Sequence, residues 1–484
     1  MYWIGVDLGS TNIKAGLYDD SMKCVRMESV PVVYDRSDGH VEFDAAAYGD
    51  ALIETLRRVA DGEQNVGSIS FTGQAESLVV LGEDGRPLMN AISWMDDRSV
   101  EECDAMDRVF PADVCYAVTG QPGSAPTWPA TKILWLRANR PEVFRAAKHY
   151  VLLKDYIVYR LTGRLVSDES IATFSFYFDI YNKCYWKEML DYIGISEAQV
   201  PPLVEPCTVA GTLTDAVAEE TGMPNTVRVN VGTLDHFAGM VGTGNVQAGD
   251  MNLSTGTVMC LATMATTPVR RDTGIPMHYG FLPDTYVMLA VAESGGVSLE
   301  WFKRSCMKDV SYDEMNRVLA EREKNDLLFL PYIVGVNCPE FDRDASGLFY
   351  GLRQKHDAID MAGAVMEGVA HLLRRNCDFI RASGTEIHRI IATGGGAKSA
   401  IWCQMQADIT GIPVVIPAEK EAACLGAAMI GAVAEGRFAS YQAAADEVVR
   451  IERTFEPHPS AFYEKKHRRF DLLYDAAIRA AKLD

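Results

Sequence analysis

Tyr2-Trp3-Ile4-Gly5-Val6-Asp7-Leu8-Gly9-Ser10-Thr11-Asn12-Ile13-Lys14-Ala15-Gly16-Leu17-Tyr18 is the stretch on which the reading of the fold turns. Residues 2–6 are a short apolar run of strand composition, and residues 13–18 resume in the same manner, which predicts a hairpin around the Gly-Ser-Thr turn. A turn made of Gly9, Ser10 and Thr11 exposes backbone N–H groups and two hydroxyls, which is what a phosphate chain requires. Lys14 adds a positive charge nearby. Asp7 stands at a strand end, where its carboxylate could face a hydrated Mg²⁺ bound to those phosphates. The same residues also suit a plain β-turn chosen for positive φ. They are neither a Walker A loop nor a dinucleotide fingerprint, since no Gly-x-x-x-x-Gly-Lys-[Ser/Thr] occurs and Lys398-Ser399 follows Ala397.

Outward from this hairpin, residues 25–30 form a third strand candidate ended by Pro31. Asp44 is a plausible N-cap for a helix over residues 45–60, apolar at Ala47, Leu52, Leu56 and Val59. Residues 67–71 and 77–81 return to strand composition. The order recurs later: residues 251–253 lead into Ser254-Thr255-Gly256-Thr257, followed by the apolar run 258–264. Residues 286–291 are again a third strand candidate, 296–303 open a helix, and 389–392 and 414–416 are further strands. Two copies of one unit predict an internal duplication, joined in the Gly-rich stretch 242–250. The division is residues 1–245 and 246–484, with residues 119–222 a helical insertion in the first copy. A chain of 484 residues is long enough for two or three domains.

Five further segments carry chemistry. Ser254-Thr255-Gly256-Thr257 is a second phosphate-type turn in the matching position, so the two turns could grip one triphosphate from both sides. Asp235, in Gly232-Thr233-Leu234-Asp235-His236-Phe237-Ala238-Gly239, lies just past the strand-like run 227–231 with small residues after it. Phosphoryl transfer to an alcohol needs a carboxylate that accepts the hydroxyl proton, and Asp235 fits that role; taken alone it also reads as a helix N-cap. His236 reads as a helix-start or packing residue rather than a base. Thr393-Gly394-Gly395-Gly396-Ala397-Lys398-Ser399 joins a strand to a helix and brings backbone donors to the helix start, which suits an anion or nucleotide. Gln74-Ala75-Glu76-Ser77 and Trp94-Met95-Asp96-Asp97-Arg98 place an amide, carboxylates and an indole at strand ends of the first half, groups that a polyhydroxylated ligand would use; either cluster could also be a surface ion pair.

Composition narrows the partners. The formal net charge of −20, from 66 acidic against 46 basic residues, argues against nucleic acid or an anionic membrane as the main partner. The eleven cysteines are scattered without a Cys-x-x-Cys pair, which favours reduced core thiols over a zinc site or disulfide framework. The N-terminal residues lack a basic region ahead of an apolar run, and no apolar run approaches the length of a membrane span, so the expectation is a cytoplasmic protein.

These motifs, in this order, resemble the FGGY carbohydrate kinases across nearly the whole chain. Gly347-Leu348-Phe349-Tyr350-Gly351-Leu352, followed by Asp360-Met361-Ala362-Gly363-Ala364-Val365-Met366-Glu367, satisfies that family's second signature, and Phe329-Leu330-Pro331-Tyr332 is typical of it. Of the first signature, Lys132-Ile133-Leu134-Trp135-Leu136 fits, whereas Thr127 and Ala138 do not. The resemblance implies an α/β fold of two actin-like (ribonuclease H-like) ATPase domains with a cleft between them. It implies ATP and Mg²⁺ as cofactors and a small sugar or polyol as substrate. Asp235 would be the general base and, with Asp7, a metal ligand. Ser10, Thr11, Lys14, Thr255 and Gly256 would lie at the phosphates, and Gly295, Gly296, Gly395, Gly396 and Ser399 would line the nucleotide pocket. Gln74, Glu76, Trp94 and Asp96, with Asp235, would meet the sugar. Dimers occur in such families, and the sequence carries no apolar stripe assignable to an interface.

Two departures bear on the acceptor. Xylulokinases usually carry Gln-Met-His-Gly where this chain has Gln74-Ala75-Glu76-Ser77, a form closer to the Gln-Arg-Glu-Thr of glycerol kinases. The common Gly-Glu-Arg-Thr-Pro is here Gly335-Val336-Asn337-Cys338-Pro339. A pentulose such as xylulose or ribulose is the first expectation, with a polyol or aldonate (glycerol, erythritol, gluconate) as the alternative. From another class, an actin-like ATPase without a sugar acceptor would lack a role for Asp235.

Overall fold

The opening residues form the expected hairpin in the computed structural model, which describes residues 1–269, 274–342 and 345–481. Strands β1 (Tyr2–Leu8) and β2 (Asn12–Tyr18) run antiparallel, with Asp7 opposite Lys14. β3 (Cys24–Pro31) continues the meander, and β4 (Val66–Gly73) returns parallel to β1, with Asp7 beside Thr72. β5 (Val209–Thr212) and β6 (Arg228–Asn230) complete a six-stranded sheet of order β5-β6-β4-β1-β2-β3. β1 is apolar on both faces because both are covered, as a buried central strand requires. Helix α1 (Ala45–Ala60) covers one face, and the Asp44 carboxylate caps it by accepting the N–H groups of Ala46 and Ala47 at 2.8 and 3.0 Å.

The second sheet repeats the plan. β7 (Gly249–Thr255), β8 (Met259–Ala265), β9 (Met277–Tyr279), β10 (Tyr286–Ala292), β11 (Ile387–Gly394), β12 (Val414–Pro417) and β13 (Ile451–Phe455) lie in the order β9-β10-β8-β7-β11-β12-β13. β7 pairs antiparallel with β8 and parallel with β11, as β1 does with β2 and β4. In each sheet a further parallel strand and then an antiparallel edge strand follow, and β9 is an addition to the second. The edge strand precedes its neighbour in the chain in the first half and follows it in the second.

Within residues 119–222 helices outnumber strands in length, among them α2 (Leu153–Thr162) and α3 (Glu169–Ala172), but under half of the segment is helical and it also supplies edge strand β5. The expected strand at 77–81 is found as Leu78–Leu81, in a separate small sheet with Glu42–Phe43, Ala91–Ile92 and His149–Leu152. Four residues between a Pro-rich stretch and the helix Asp215–Thr221 are too few to show a period, which hid β5 from the sequence.

Two helices tie the halves together. α4 (Asp235–Thr243) follows the first sheet, and after α5 (Gly296–Cys306), α6 (Ala358–Ala382) and α7 (Ala400–Thr410), helix α8 (Ala422–Ala434) comes back to pack on β1 and β4. α4 and α8 cross at Gly242 and Gly426. A Cβ on either would lie 1.9 or 1.8 Å from the carbonyl oxygen of Ala422 or Ala238, so only glycine permits this approach. Around the crossing, Phe237, Met240, Val241, Leu425 and Met429 form one apolar core with Trp3 and Tyr18 of the first sheet and Ala262 and Leu289 of the second. Full burial of a side chain such as Phe237 contributes about 1.5–3 kcal/mol, so this shared core joins the halves firmly. No helix among the described residues is long and apolar enough to cross a membrane.

Candidate active site

Both central strands end at the same opening. A cleft of about 950 Å³ is lined by Asp7 and Asp235 from the first half, by Asn252, Ser254, Thr393, Gly394, Gly395 and Lys398 from the second, and by Glu421 at the start of α8. Asp235 is the first residue of α4, and its Oδ1 accepts the N–H of His236 at 2.6 Å. The loop before it is fixed by close backbone contact. Gly232 has φ 64°, and a Cβ there would lie 1.5 Å from the carbonyl oxygen of Phe71. The helix N-cap alternative raised for Asp235 does not hold, because Leu234 occupies the cap position and Asp235 faces the cleft. His236 also lines the cleft rather than the core, with Cys260 Sγ 3.8 Å from its ring nitrogens.

The electrostatics of the opening are those of a cation site. Burial, and then the Asp235 carboxylate, push the Asp7 carboxyl up to about 7, with Lys14 pulling the other way. Lys14 is itself engaged: its Nζ donates to Glu421 Oε2 at 2.7 Å, across 407 residues of sequence. Burial opposes the Lys14 charge, but the Glu421 contact outweighs it and holds the ammonium above its usual range. Lys398, Lys420 and Arg453 also line the cleft, but of the charges that act on Asp7 only Lys14 opposes Asp235 and Glu421, so the two carboxylates offer the donor chemistry that a hydrated divalent cation takes and fit Mg²⁺.

The two turns close the hairpins of β1–β2 and β7–β8, and none of residues 9–11 or 255–257 lines the cleft itself. Gly9 to Thr11 close the first, with Ser10 half-exposed and Thr11 exposed, and the Gly9 carbonyl accepts from Tyr48 Oη at 3.1 Å and Gln74 Nε2 at 3.2 Å. The second turn gathers the remaining glycines. Gly296 at the start of α5 donates its N–H to Gly256 O at 2.8 Å, and Gly394 pairs with Thr255 across β7 and β11. Thr255, Gly256, Gly295, Gly296, Gly395 and Gly396 therefore form one group. Ser399 lies outside it. It caps α7, accepting from Trp402 N–H at 3.3 Å, and bonds Asn316 at 3.1 Å.

Away from the residues that line the cleft, a short relay connects the first turn to the backbone of Trp94. Gln74 Oε1 accepts from Ser77 Oγ at 2.7 Å, and Ser77 Oγ accepts from the Trp94 N–H at 3.1 Å. Trp94 is 40% exposed, as a stacking platform needs to be. Glu76 holds φ 62°, a left-handed conformation that a glutamate adopts only when its surroundings impose it. Behind it, Lys132 is fully buried and donates to the carbonyls of Glu76 at 3.0 Å and Ser93 at 2.8 Å. Burial pushes the Lys132 ammonium down to about 7 and the Glu76 carboxyl up, each opposed by the charge of the other. Asp96 is placed differently from the sequence reading. It is fully buried, and its oxygens bind the Arg98 guanidinium and the Val41 N–H, so it braces Arg98 and does not offer a free acceptor to the cleft. Glu421 and Lys132 escaped the sequence reading of the site. Glu421 has no local signal, and Lys132 was visible only as part of a signature.

Residues 2–242 match the FGGY family of carbohydrate kinases, N-terminal domain, and residues 251–435 match its C-terminal domain. The chain is 30% identical to the xylulose kinase of Lactococcus lactis subsp. lactis, over 98% of this chain and 96% of that one. Its fold is similar to the crystal structure of xylulose kinase from Rhodospirillum rubrum, with a TM-score of 0.94, 25% identity and coverage of 99% of this chain and 100% of that one. It is also similar to gluconate kinase from Lactobacillus acidophilus, with a TM-score of 0.90, 26% identity and coverage of 100% and 98%.

Proposed function

The chain belongs to the FGGY family of carbohydrate kinases, and from that premise we propose that it transfers the γ-phosphoryl group of ATP to a hydroxyl of a pentulose such as xylulose or ribulose. It is an ATP-dependent sugar kinase, with residues 1–245 taken as the sugar-binding half and residues 246–484 as the nucleotide half. The observation that carries the reading is the pair Asp7 and Asp235 at one opening, reached by the central strand of each half. Asp235 accepts the proton of the attacking hydroxyl; the new O–P bond forms as the bond to the β–γ bridging oxygen breaks and ADP leaves. Mg²⁺ held by Asp7 and Asp235 would supply neutralising charge for the phosphates. Ser10, Thr11, Thr255 and Gly256 orient the phosphate chain. Gly295, Gly296, Gly395 and Gly396 shape the nucleotide wall. Gln74, Glu76 and Trp94 hold the sugar, with Asp96 acting through Arg98. The enzyme works in the cytoplasm, where ATP is at hand.

Charge favours a neutral acceptor over an aldonate. Lys132 is occupied by two carbonyls beside Glu76, and Arg98 by Asp96 and Glu42. A carboxylate on the substrate would then face Glu76, Asp7 and Asp235 with no free cation from these two side chains. A coupled assay of ADP release over xylulose, ribulose, glycerol, erythritol and gluconate tests this. The expected order puts a pentulose first and gluconate at least about tenfold lower in kcat/KM, since that is about 1.4 kcal/mol. Gluconate as the best acceptor would overturn the charge argument.

A further inference from the structure

Behind the loop that carries Asp235 lies a buried polar network which the reaction as described does not use. Lys154, on α2, is 1% exposed, and its Nζ donates to the carbonyl of Val231 at 2.8 Å, four residues before Asp235. The same ammonium forms an ion pair with Asp168, which is fully buried. Asp168 caps α3: its Oδ1 accepts the N–H groups of Ser170 and Ile171 at 3.0 and 3.1 Å, and also the Ser170 hydroxyl. Ser170 Oγ in turn shares a hydrogen bond of 2.7 Å with Thr233 Oγ1, two residues before Asp235. The network thus begins and ends on the 231–235 loop. All of these side chains are buried.

Taking a lysine and an aspartate out of water costs several kcal/mol for each ion before their attraction is counted, so a buried pair is weak ground for stability. It does fix geometry. The loop is held at Val231 by a charged donor and at Thr233 by a hydroxyl pair whose partner is anchored to the same charge. On the other side Thr233 N–H bonds the Phe71 carbonyl at 3.2 Å, and Asn230 Oδ1 accepts the Gly232 N–H at 2.7 Å. With the loop gripped on both sides, the first residue of α4 has little freedom in height or direction above the cleft.

We propose that Lys154, Asp168, Ser170 and Thr233 are positioning residues for phosphoryl transfer, a buried clamp that sets the Asp235 carboxylate against the acceptor hydroxyl. The inference rests on Asp235 as the general base. It gives part of the segment 119–222 a role in the chemistry: α2 and α3 reach behind the first sheet to hold the base. A base that drifts by about 1 Å can cost roughly a hundredfold in rate without weakening ligand binding.

The test is the split between kcat and KM in Thr233→Val, which removes one hydroxyl at nearly constant volume and keeps the backbone bond to Phe71. It is run with ATP and whichever of xylulose or ribulose turns over faster. The expected result is a loss of about 10–100-fold in kcat, with both KM values within about threefold, and recovery in Thr233→Ser to within about threefold of the parent. Ser170→Ala deletes the other hydroxyl and leaves the backbone caps of Asp168 in place; it shows the same split and stands in if Thr233→Val does not fold. Asp235→Asn is run alongside. Parental kcat in Thr233→Val and Ser170→Ala while Asp235→Asn is inactive overturns the clamp alone. A loss shared equally by Thr233→Ser also overturns it, as does an effect on KM only. Parental turnover in Asp235→Asn overturns the clamp together with the base it serves.

Discussion

At the scale of single residues, Asp7 and Asp235 stood out because each follows a strand-like run and precedes small or turn-forming residues. Their electrostatic setting was not, since it depends on Glu421, which removes Lys14 from the opening from 407 residues away. Asp96 shows the converse. Its residue type suggested a sugar acceptor, but Arg98, two places along, and the Val41 N–H take up its oxygens. His278, on β9, yields a pH prediction. It is buried, lies stacked on Phe174 at 4.3 Å, and is pushed down to about 3, first by burial and then by the charge of His236. A folded-state value below the unfolded one contributes stability that is fully present above about 6.5 and is lost as pH falls toward about 3. Between pH 6.5 and 5 this one group costs about 2 kcal/mol. Chemical denaturation of the parent and His278→Phe at both pH values should show the parent losing that much more than the variant, whereas equal losses would contradict the assignment.

At the scale of elements, the hairpins and the α1 cap were readable because they are local: turn residues sit between apolar runs, and Asp44 stands just ahead of a helical period. β5 was missed for the opposite reason, as its place is set by β6 and the sheet edge. The signature that carries the family resemblance turns out to be packing. Leu348–Tyr350 pairs with Leu328–Leu330, and the Phe329 and Phe349 rings lie 4.4 Å apart. None of these residues lines the cleft. The α4–α8 crossing is the element on which the two halves depend. Gly426→Ala places a methyl group 1.8 Å from the Ala238 carbonyl oxygen, closer than any relaxation of a side chain can relieve. The expected cost is about 3 kcal/mol or more, read as a fall in thermal midpoint. An unchanged midpoint would mean that the helices do not cross this closely.

At the scale of the whole molecule, one sheet topology is used twice, and each copy brings its central strand to the same cleft. The duplication was visible in the sequence as a repeated order of strands and turns. How the halves meet was not, because α8 leaves the second half to pack on the first sheet, and no local pattern announces that exchange. On the proposed division, with the sugar held by residues 1–245 and the nucleotide by residues 246–484, turnover requires both ligands at once and water is a poor substitute for the sugar. ADP release with and without the preferred pentulose, in the parent and in Asp235→Asn, is the most direct measurement. The parent should release ADP at least about a hundredfold faster with the sugar, and Asp235→Asn should lose that stimulated rate by orders of magnitude while its ATP affinity by calorimetry stays unchanged. Stimulated turnover that survives in Asp235→Asn, or a parent that no sugar stimulates, would contradict the account.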